Sequence, residues 1–270
     1  MMRTVLVTGA NSGVGRETVV HLAGMGFGVV GTARSEEKLE AIEKAARDAG
    51  VEVQGAVLDV TDEPGCAELV ERTDPWAVVN NAGFMNVGRV VDVTRDEALR
   101  QLDTLVVGPM RLAALALPGM RRRGQGRIVN VSSTIAHATS VMTGWYQAGK
   151  HALDAVTDAL RREVAGDGIY VVLIEPGGLN TRFWDKAADD IERRRAAAPT
   201  EYGRAERMLQ ATHGHMTDPA RVAKAIGRAL TAGRPAIRYR VGLDARVVPL
   251  LDRLLPDGVQ DRIQRRVLGR

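Results

Sequence analysis

Short apolar runs and longer amphipathic stretches alternate from the start of the chain. Residues 4–8, 28–33 and 51–58 read as strands, and residues 13–25 and 36–49 between them have helical periodicity. Further runs of strand length lie at 76–80, 127–132 and 170–175, with helical patterns of 10 to 25 residues between them. Such alternation predicts one parallel sheet with helices on both faces, a doubly wound α/β fold built by right-handed crossovers. In that architecture ligands bind outside the carboxyl ends of the strands, so the segments that follow strands are the places to search for chemistry. Farther along, residues 182–216 are polar, charged and weakly periodic, which suits a lid or substrate loop; with the stretch 134–145 it would form the walls of a pocket. Residues 219–230 read as a helix entered through Thr217-Asp218, and 236–239 as a last short strand. Val259, Ile263 and Val267 recur every four residues, as in an amphipathic helix packed on the body. Leu117 to Met120 reads as a turn, and the apolar segment 247–255, interrupted by Pro249, as core packing.

At 270 residues the chain suits one domain, 1–270, with a lid at about 182–216 and a basic extension at about 240–270. Hydrophobic residues at 45% and charged residues at 26% exclude a disordered or fibrous chain. The single cysteine, Cys66, rules out an intrachain disulfide, and no export signal precedes the first strand, so a reducing, cytoplasmic setting is expected. The net charge of +4 is uneven: residues 234–270 carry nine arginines against four aspartates, a balance of +5 that leaves −1 elsewhere. Without a basic stripe interleaved with aromatics, that end reads as a solvated helix face and no nucleic-acid partner is expected. The longest charge-free stretch, 128–149, holds too many Ser, Thr, Asn and His residues for stable membrane insertion.

The first strand leads into Gly9-Ala10-Asn11-Ser12-Gly13-Val14-Gly15 where a helix begins. Glycines there permit a tight turn and let backbone amides approach a pyrophosphate at the positive end of the helix dipole. At the end of the second strand, a dinucleotide site places an acid for a ribose 2′-hydroxyl or a base for a 2′-phosphate. Arg34 stands there and no carboxylate does, which favours NADP(H) over NAD(H).

Tyr146 and Lys150 lie four apart at the start of a helical run, so they share a face. Two unit charges about 4 Å apart at an effective dielectric near 20 interact by roughly 4 kcal/mol. On that basis Lys150 would draw the tyrosine from about 10 to about 7, into the range where acid–base catalysis works best. Ser133, at the carboxyl end of the strand 127–132, completes a group located where this fold places its chemistry. His213 and His215 lack the further ligands a metal site needs, so no metal is expected; Arg121 to Arg123 suit a helix end, and His151 points to another helix face.

Together these residues resemble the short-chain dehydrogenase/reductase family over most of the chain. Thr8 to Gly15 is similar to its cofactor loop, Asp59-Val60 to its adenine-contacting pair, Asn80-Asn81-Ala82-Gly83 to its fourth-strand signature, and Pro176-Gly177 with Thr181 to its nicotinamide-contacting segment. The resemblance implies a Rossmann-type fold, a homodimer or homotetramer, and hydride exchange with a small ketone, aldehyde or secondary alcohol. Ser133 would bond the substrate oxygen, Tyr146 would exchange its proton, and Lys150 would hold the nicotinamide ribose. Two places depart from the family's pattern. Leu105 stands where the family has an asparagine tied to a water that links the lysine to solvent, and Gln147-Ala148-Gly149 precedes the lysine where the family often has Ser-Ala-Ser. The resemblance therefore leaves two expectations, an oxidoreductase with a slowed or rerouted proton relay and a non-redox or regulatory cofactor-binding homologue.

Overall fold

The computed structural model describes the backbone of residues 2–179, 183–212 and 216–267. Thr181, His213 and His215 lie outside them. Among the described residues, seven parallel strands form one sheet: β1 (Thr4–Val7), β2 (Gly28–Ala33), β3 (Gln54–Val57), β4 (Ala77–Asn80), β5 (Gly126–Val131), β6 (Ile169–Pro176) and β7 (Arg238–Val241). Their order is β3-β2-β1-β4-β5-β6-β7, so the winding direction reverses between β1 and β4. That switch point opens a crevice at the carboxyl ends of the two strands.

Period-two alternation divides the core. Val5 and Val7 of β1 face one layer, packed with Val19 and Leu22 of α1 (Gly13–Gly24), Leu39 and Ile42 of α2 (Glu36–Asp48), and Val222 and Ile226 of α9 (Pro219–Thr231). Leu6, Val78 and Ile128 face the other, against α3 (Glu63–Thr73) and α5 (Gly108–Arg123). Helices α4 (Arg95–Leu102) and α5 are joined by a π-helical stretch, Asp103–Val107, the type of irregularity found often at functional sites. On the same sheet face, α6 (Gly144–Glu163) is tied to β4 and β5 by a buried chain: Asn80 Nδ2 donates to Asn130 Oδ1 (2.8 Å), and Asn130 Nδ2 to Thr157 Oγ1 (2.8 Å).

Several expectations fail for identifiable reasons. Leu117 to Met120 form no turn; Pro118 is accommodated inside α5, which ends at Arg121 to Arg123 and a left-handed Gly124. The stretch expected to be a lid contains two helices, α7 (Phe183–Arg194) and α8 (Pro199–Thr212). Polar anchors hold them: buried Asp190 accepts from Val87 N (3.0 Å), Arg194 bonds Val87 O (2.8 Å) and Glu97 (2.7 Å), and Tyr202 Oη donates to Asp92 (2.7 Å). The tail forms α10 (Asp244–Leu254) and α11 (Asp257–Val267), yet Leu250, Leu254, Val259 and Ile263 are exposed and not packed on the body. Of the basic residues at this end, Arg238 and Arg240 of β7 bind buried Glu175, each at 2.9 Å. By length and composition the helical run Arg95–Arg123 is apolar enough to cross a membrane, but half of its most apolar window is buried within the fold, as in a core helix.

Cys66 is fully buried, and desolvation pushes its thiol up to about 11. The thiolate is the reactive form. A disulfide reagent at neutral pH is therefore expected to leave Cys66 unmodified in the folded protein and to label it on unfolding; fast labelling of the folded chain would contradict this burial.

Candidate active site

At the switch point a cleft of about 590 Å³ runs from the loop after β1 past the ends of β4, β5 and β6. Gly9, Asn11, Ser12, Gly13 and Val14 line one end, with Arg34, Asp59 and Val60 beside them and Asn81, Ala82 and Gly83 along the middle. Ser133, Tyr146, Lys150, Pro176 and Gly177 line the other end. Gly15 does not reach the cleft. It lies beneath the loop, where a Cβ would stand 2.2 Å from Gly9 O and 2.6 Å from Asn81 Nδ2.

The loop is shaped by the protein's own hydrogen bonds. Asn81 Nδ2 donates to Thr8 O (2.9 Å) and Gly9 O (3.1 Å), while Thr8 Oγ1 accepts from Asn81 N and Ala82 N, each at 3.0 Å. Gly9 has φ +66° and a Cβ on it would meet Ala82 Cα at 2.9 Å, so the close approach of these two segments requires glycine. Ser12 is the N-cap residue of α1, whose free amides face the cleft. A dinucleotide pyrophosphate fits this cradle of glycine backbone and helix N-terminus. Asp59 accepts from Thr61 N (3.1 Å) and Oγ1 (2.8 Å). Although desolvation opposes ionisation, these bonds with Arg34 and Arg100 nearby hold its carboxyl below the usual range.

Arg34 and Lys38 are both exposed at the rim, and among the described residues neither forms an ion pair with a protein carboxylate. Lys38 was not visible as a site residue in the sequence. It stands on the first turn of α2, four positions after Arg34, a spacing that gains meaning only once the cleft is located.

At the chemical end, Tyr146 and Lys150 are buried on one face of α6, and the Tyr146 hydroxyl is hydrogen-bonded to Ser133. Ser133 Oγ also accepts from Ile135 N at 3.3 Å. Lys150 Nζ donates to Val131 O (2.7 Å) and stands 5.7 Å from the Tyr146 ring centroid. The expected lowering of the tyrosine by its neighbour is overturned: burial pushes the phenol above its ordinary value, only partly offset by Ser133. Burial also lowers Lys150, to about 8, against the opposing pull of Asp154. The ammonium is engaged by a strand carbonyl and the phenol by a serine, so direct contact does not activate the tyrosine.

Leu105, in the π-helical stretch, is buried among Met85, Met142 and Tyr146. A Cβ on Gly83 or on Gly149 would lie 2.9 Å from a Leu105 methyl, so the leucine fills the space those two glycines leave. The unusual Gly149 thus has a steric partner in the unusual Leu105.

At the substrate end Thr134, Ile135, Ala138, Thr139 and Ser140 line the cleft within the stretch 134–145 expected there, while the stretch expected to be a lid contributes no described lining residue. No described side chain of α7 or α8 lines the cleft; its apolar walls come from Phe84, Met85, Ile135, Ala138 and Leu179, with Val248 of α10 and Gln264 of α11. Asp244, at the start of α10, accepts from Gly178 N (2.7 Å), and any Cβ on Gly177 would collide with that carboxylate. The tail is thereby clamped to the turn after β6. No sequence signal marked Asp244, whose partner is backbone.

Comparison with known proteins gives this cleft its lineage. Residues 3–192 match the short chain dehydrogenase family. The chain is 33% identical to the "Uncharacterized oxidoreductase YbbO" of Escherichia coli (strain K12) over 97% of its length and 94% of that protein. It is 29% identical, over 97% and 96%, to the "NADPH-dependent 3-dehydrocapnine reductase" of Ornithobacterium rhinotracheale. The solved structure of a single-substitution variant of actinorhodin polyketide ketoreductase with NADPH superimposes with a TM-score of 0.78 at 32% identity, covering 90% of this chain and 97% of that one. A glycine cradle at the switch point, a Ser–Tyr–Lys cluster beyond it and relatives matched nearly end to end agree: the chain belongs to the short-chain dehydrogenase/reductase family of NAD(P)-dependent oxidoreductases.

Proposed function

We propose that the protein is an NADPH-dependent reductase of an apolar ketone or aldehyde. The observation that carries this reading is the Ser133–Tyr146 pair set in one cleft between an anion cradle and apolar walls. The nicotinamide of the bound cofactor supplies the hydride. Tyr146 donates the proton to the substrate oxygen; burial keeps this phenol in its protonated, donating form, which suits reduction near neutral pH. Ser133, oriented by Ile135 N, hydrogen-bonds the same oxygen. Lys150, anchored to Val131 O and lining the cleft, has further donors with which it would hold the ribose of the cofactor. Met85, Ile135, Leu179 and Val248 exclude water from the carbonyl and select for apolar substituents.

Arg34 and Lys38 at the rim support a 2′-phosphate ligand, since each can make a charge-assisted hydrogen bond worth about 1.5–3 kcal/mol. Replacing both by alanine is expected to weaken NADPH binding by at least about tenfold, the equivalent of about 1.4 kcal/mol, and to leave NADH binding nearly unchanged. Equal loss for both cofactors in a fluorescence titration would remove the assignment. The activity itself is tested by a panel of ketones and aldehydes followed by nicotinamide absorbance. Turnover that rises with the apolar size of the carbonyl substituents is expected, and no turnover of any carbonyl with either cofactor would overturn the reading.

A further inference from the structure

Each reduction removes one proton from Tyr146, and a proton from solvent must replace it. Leu105 fills one side of the buried cluster: it is 1% exposed, its methyls occupy the space beside Gly83 and Gly149, and its side chain offers no polar atom, leaving only its backbone carbonyl for a relay there. The next turn of α6 offers the opposite. Tyr146, Lys150 and Asp154 recur every four residues, and all three are buried. One oxygen of Asp154 accepts from Ser132 Oγ at 2.5 Å, while Oδ2 is buried with no hydrogen-bond partner among the described residues. An unsatisfied carboxylate oxygen in a core is costly unless it has a use.

That oxygen has a path outward. Ligand atoms of Asp154, His137 and Glu175 all lie within 4.8 Å of one another. His137 follows the short helical turn after Ser133; its Nε2 is buried 3.2 Å from Glu175 Oε1, whereas its side chain as a whole is 23% exposed. Glu175 is fixed in turn by Arg238 and Arg240, each at 2.9 Å. Two guanidiniums on its carboxylate already supply the positive charge, which argues against a metal ion among these three side chains.

We infer that Asp154 and His137 form a proton entry that recharges Lys150 from solvent by a route that does not use the Leu105 side chain. The inference rests on the proposed reduction. In the step, a solvent proton adds to the imidazole of His137, which passes a proton from its buried nitrogen to Asp154 across one water. Asp154, whose charge is felt at Lys150 without a direct ion pair, passes it across a further water to the Lys150 amine left when the ammonium has given a proton towards the tyrosinate. One proton enters per hydride consumed, and every relay group returns to its starting charge. Asp154 and His137 act through Lys150 and are positioning residues in this scheme.

The groups that face this path are suited to carry a proton. Hydrogen bonding to Glu175 raises His137, outweighing its desolvation, with Asp154 adding to the rise and Arg240 opposing it. Desolvation raises the Asp154 carboxyl and Glu175 adds to the rise, while Ser132, His137 and Arg238 pull it down. Both groups are thus shifted upward, towards the protonated form from which each can hand a proton on.

Two measurements test the entry. With a carbonyl found by the panel, His137→Ala is expected to lower kcat about tenfold, flatten its pH profile, leave the KM and NADPH affinity nearly unchanged, and regain turnover with added imidazole. A merely structural histidine would not respond to imidazole, so a full-rate variant, or a slow one that imidazole leaves slow, would overturn the inference. The second measurement needs no turnover. Infrared titration of the wild type, with Asp154→Asn to assign the carboxyl band, is expected to show an Asp154 titration that His137→Gln displaces; an unmoved titration would overturn the inference. If no carbonyl is turned over, the reductase reading fails by itself, and the infrared result still decides whether Asp154 and His137 are coupled.

Discussion

Phenylalanine in place of Tyr146 is expected to lower carbonyl reduction by a factor of about 10² to 10⁴, the range for removal of a positioned general acid. The ring is buried against Leu105 and Met142, and phenylalanine preserves that packing. The variant loses only the hydroxyl and its bond to Ser133, a stability cost of about 1 kcal/mol. Folding and NADPH affinity should therefore survive while kcat collapses. Undiminished kcat would show that another group delivers the proton. The wild-type pH profile bears on the same point. Lys150 at about 8 loses its ammonium as pH rises through that value, so turnover that depends on it should decline on the alkaline side. The sign for stability is opposite: this folded value lies below the ordinary lysine value, so the unfolded chain holds more protons between the two and this residue's contribution to stability rises with pH there.

The second large effect is expected at Gly15. An alanine methyl would be placed 2.2 Å from Gly9 O and 2.6 Å from Asn81 Nδ2, and the first of these is backbone. The Thr8–Gly9 segment would have to move, breaking the bonds by which Asn81 holds it. Overpacking of this kind costs about 1–3 kcal/mol of stability. The larger effect falls on the ligand, because the cradle depends on the position of the same loop. Gly15→Ala is expected to weaken cofactor binding by about a hundredfold or more, through geometry alone since Gly15 does not line the cleft. Retention of wild-type affinity in a binding titration would show that the loop tolerates displacement.

The sheet was legible because buried parallel strands leave a simple trace. Residues 28–33 are apolar or small throughout and become β2 over those same positions, and β4, β5 and β6 coincide with the apolar runs to within a residue at either end. The cofactor cradle was legible for a related reason: a glycine needed for close approach cannot be replaced unobtrusively. What escaped depends on contacts between distant residues. Helices α7 and α8 bury only a narrow stripe, Ala187 and Ile191 on one and Tyr202 and Ala205 on the other, and are held besides by Asp190, Arg194 and Tyr202 through ion pairs and hydrogen bonds to residues 87–97, so their hydrophobic period is weak among many charges. The stretch expected to be a lid is helical, and among the described residues Val248 of α10 and Gln264 of α11, not α7 or α8, reach the cleft. The tyrosine's expected acidity failed on direction: spacing gave the distance between two side chains but neither the burial of the phenol nor the carbonyl that engages the lysine. Gly149 looked anomalous beside Lys150 until Leu105 was found pressed against it.

The central claim is that hydride passes in this cleft from a nicotinamide to a carbonyl carbon. The most direct measurement uses NADPH deuterated at either face of C4, a ketone from the panel and mass spectrometry of the alcohol. One of the two deuterated forms should deliver its label to the carbinol carbon and the other should deliver none, with the transfer lost in Tyr146→Phe. Alcohol without label from either form, or equal labelling from both, would contradict the account.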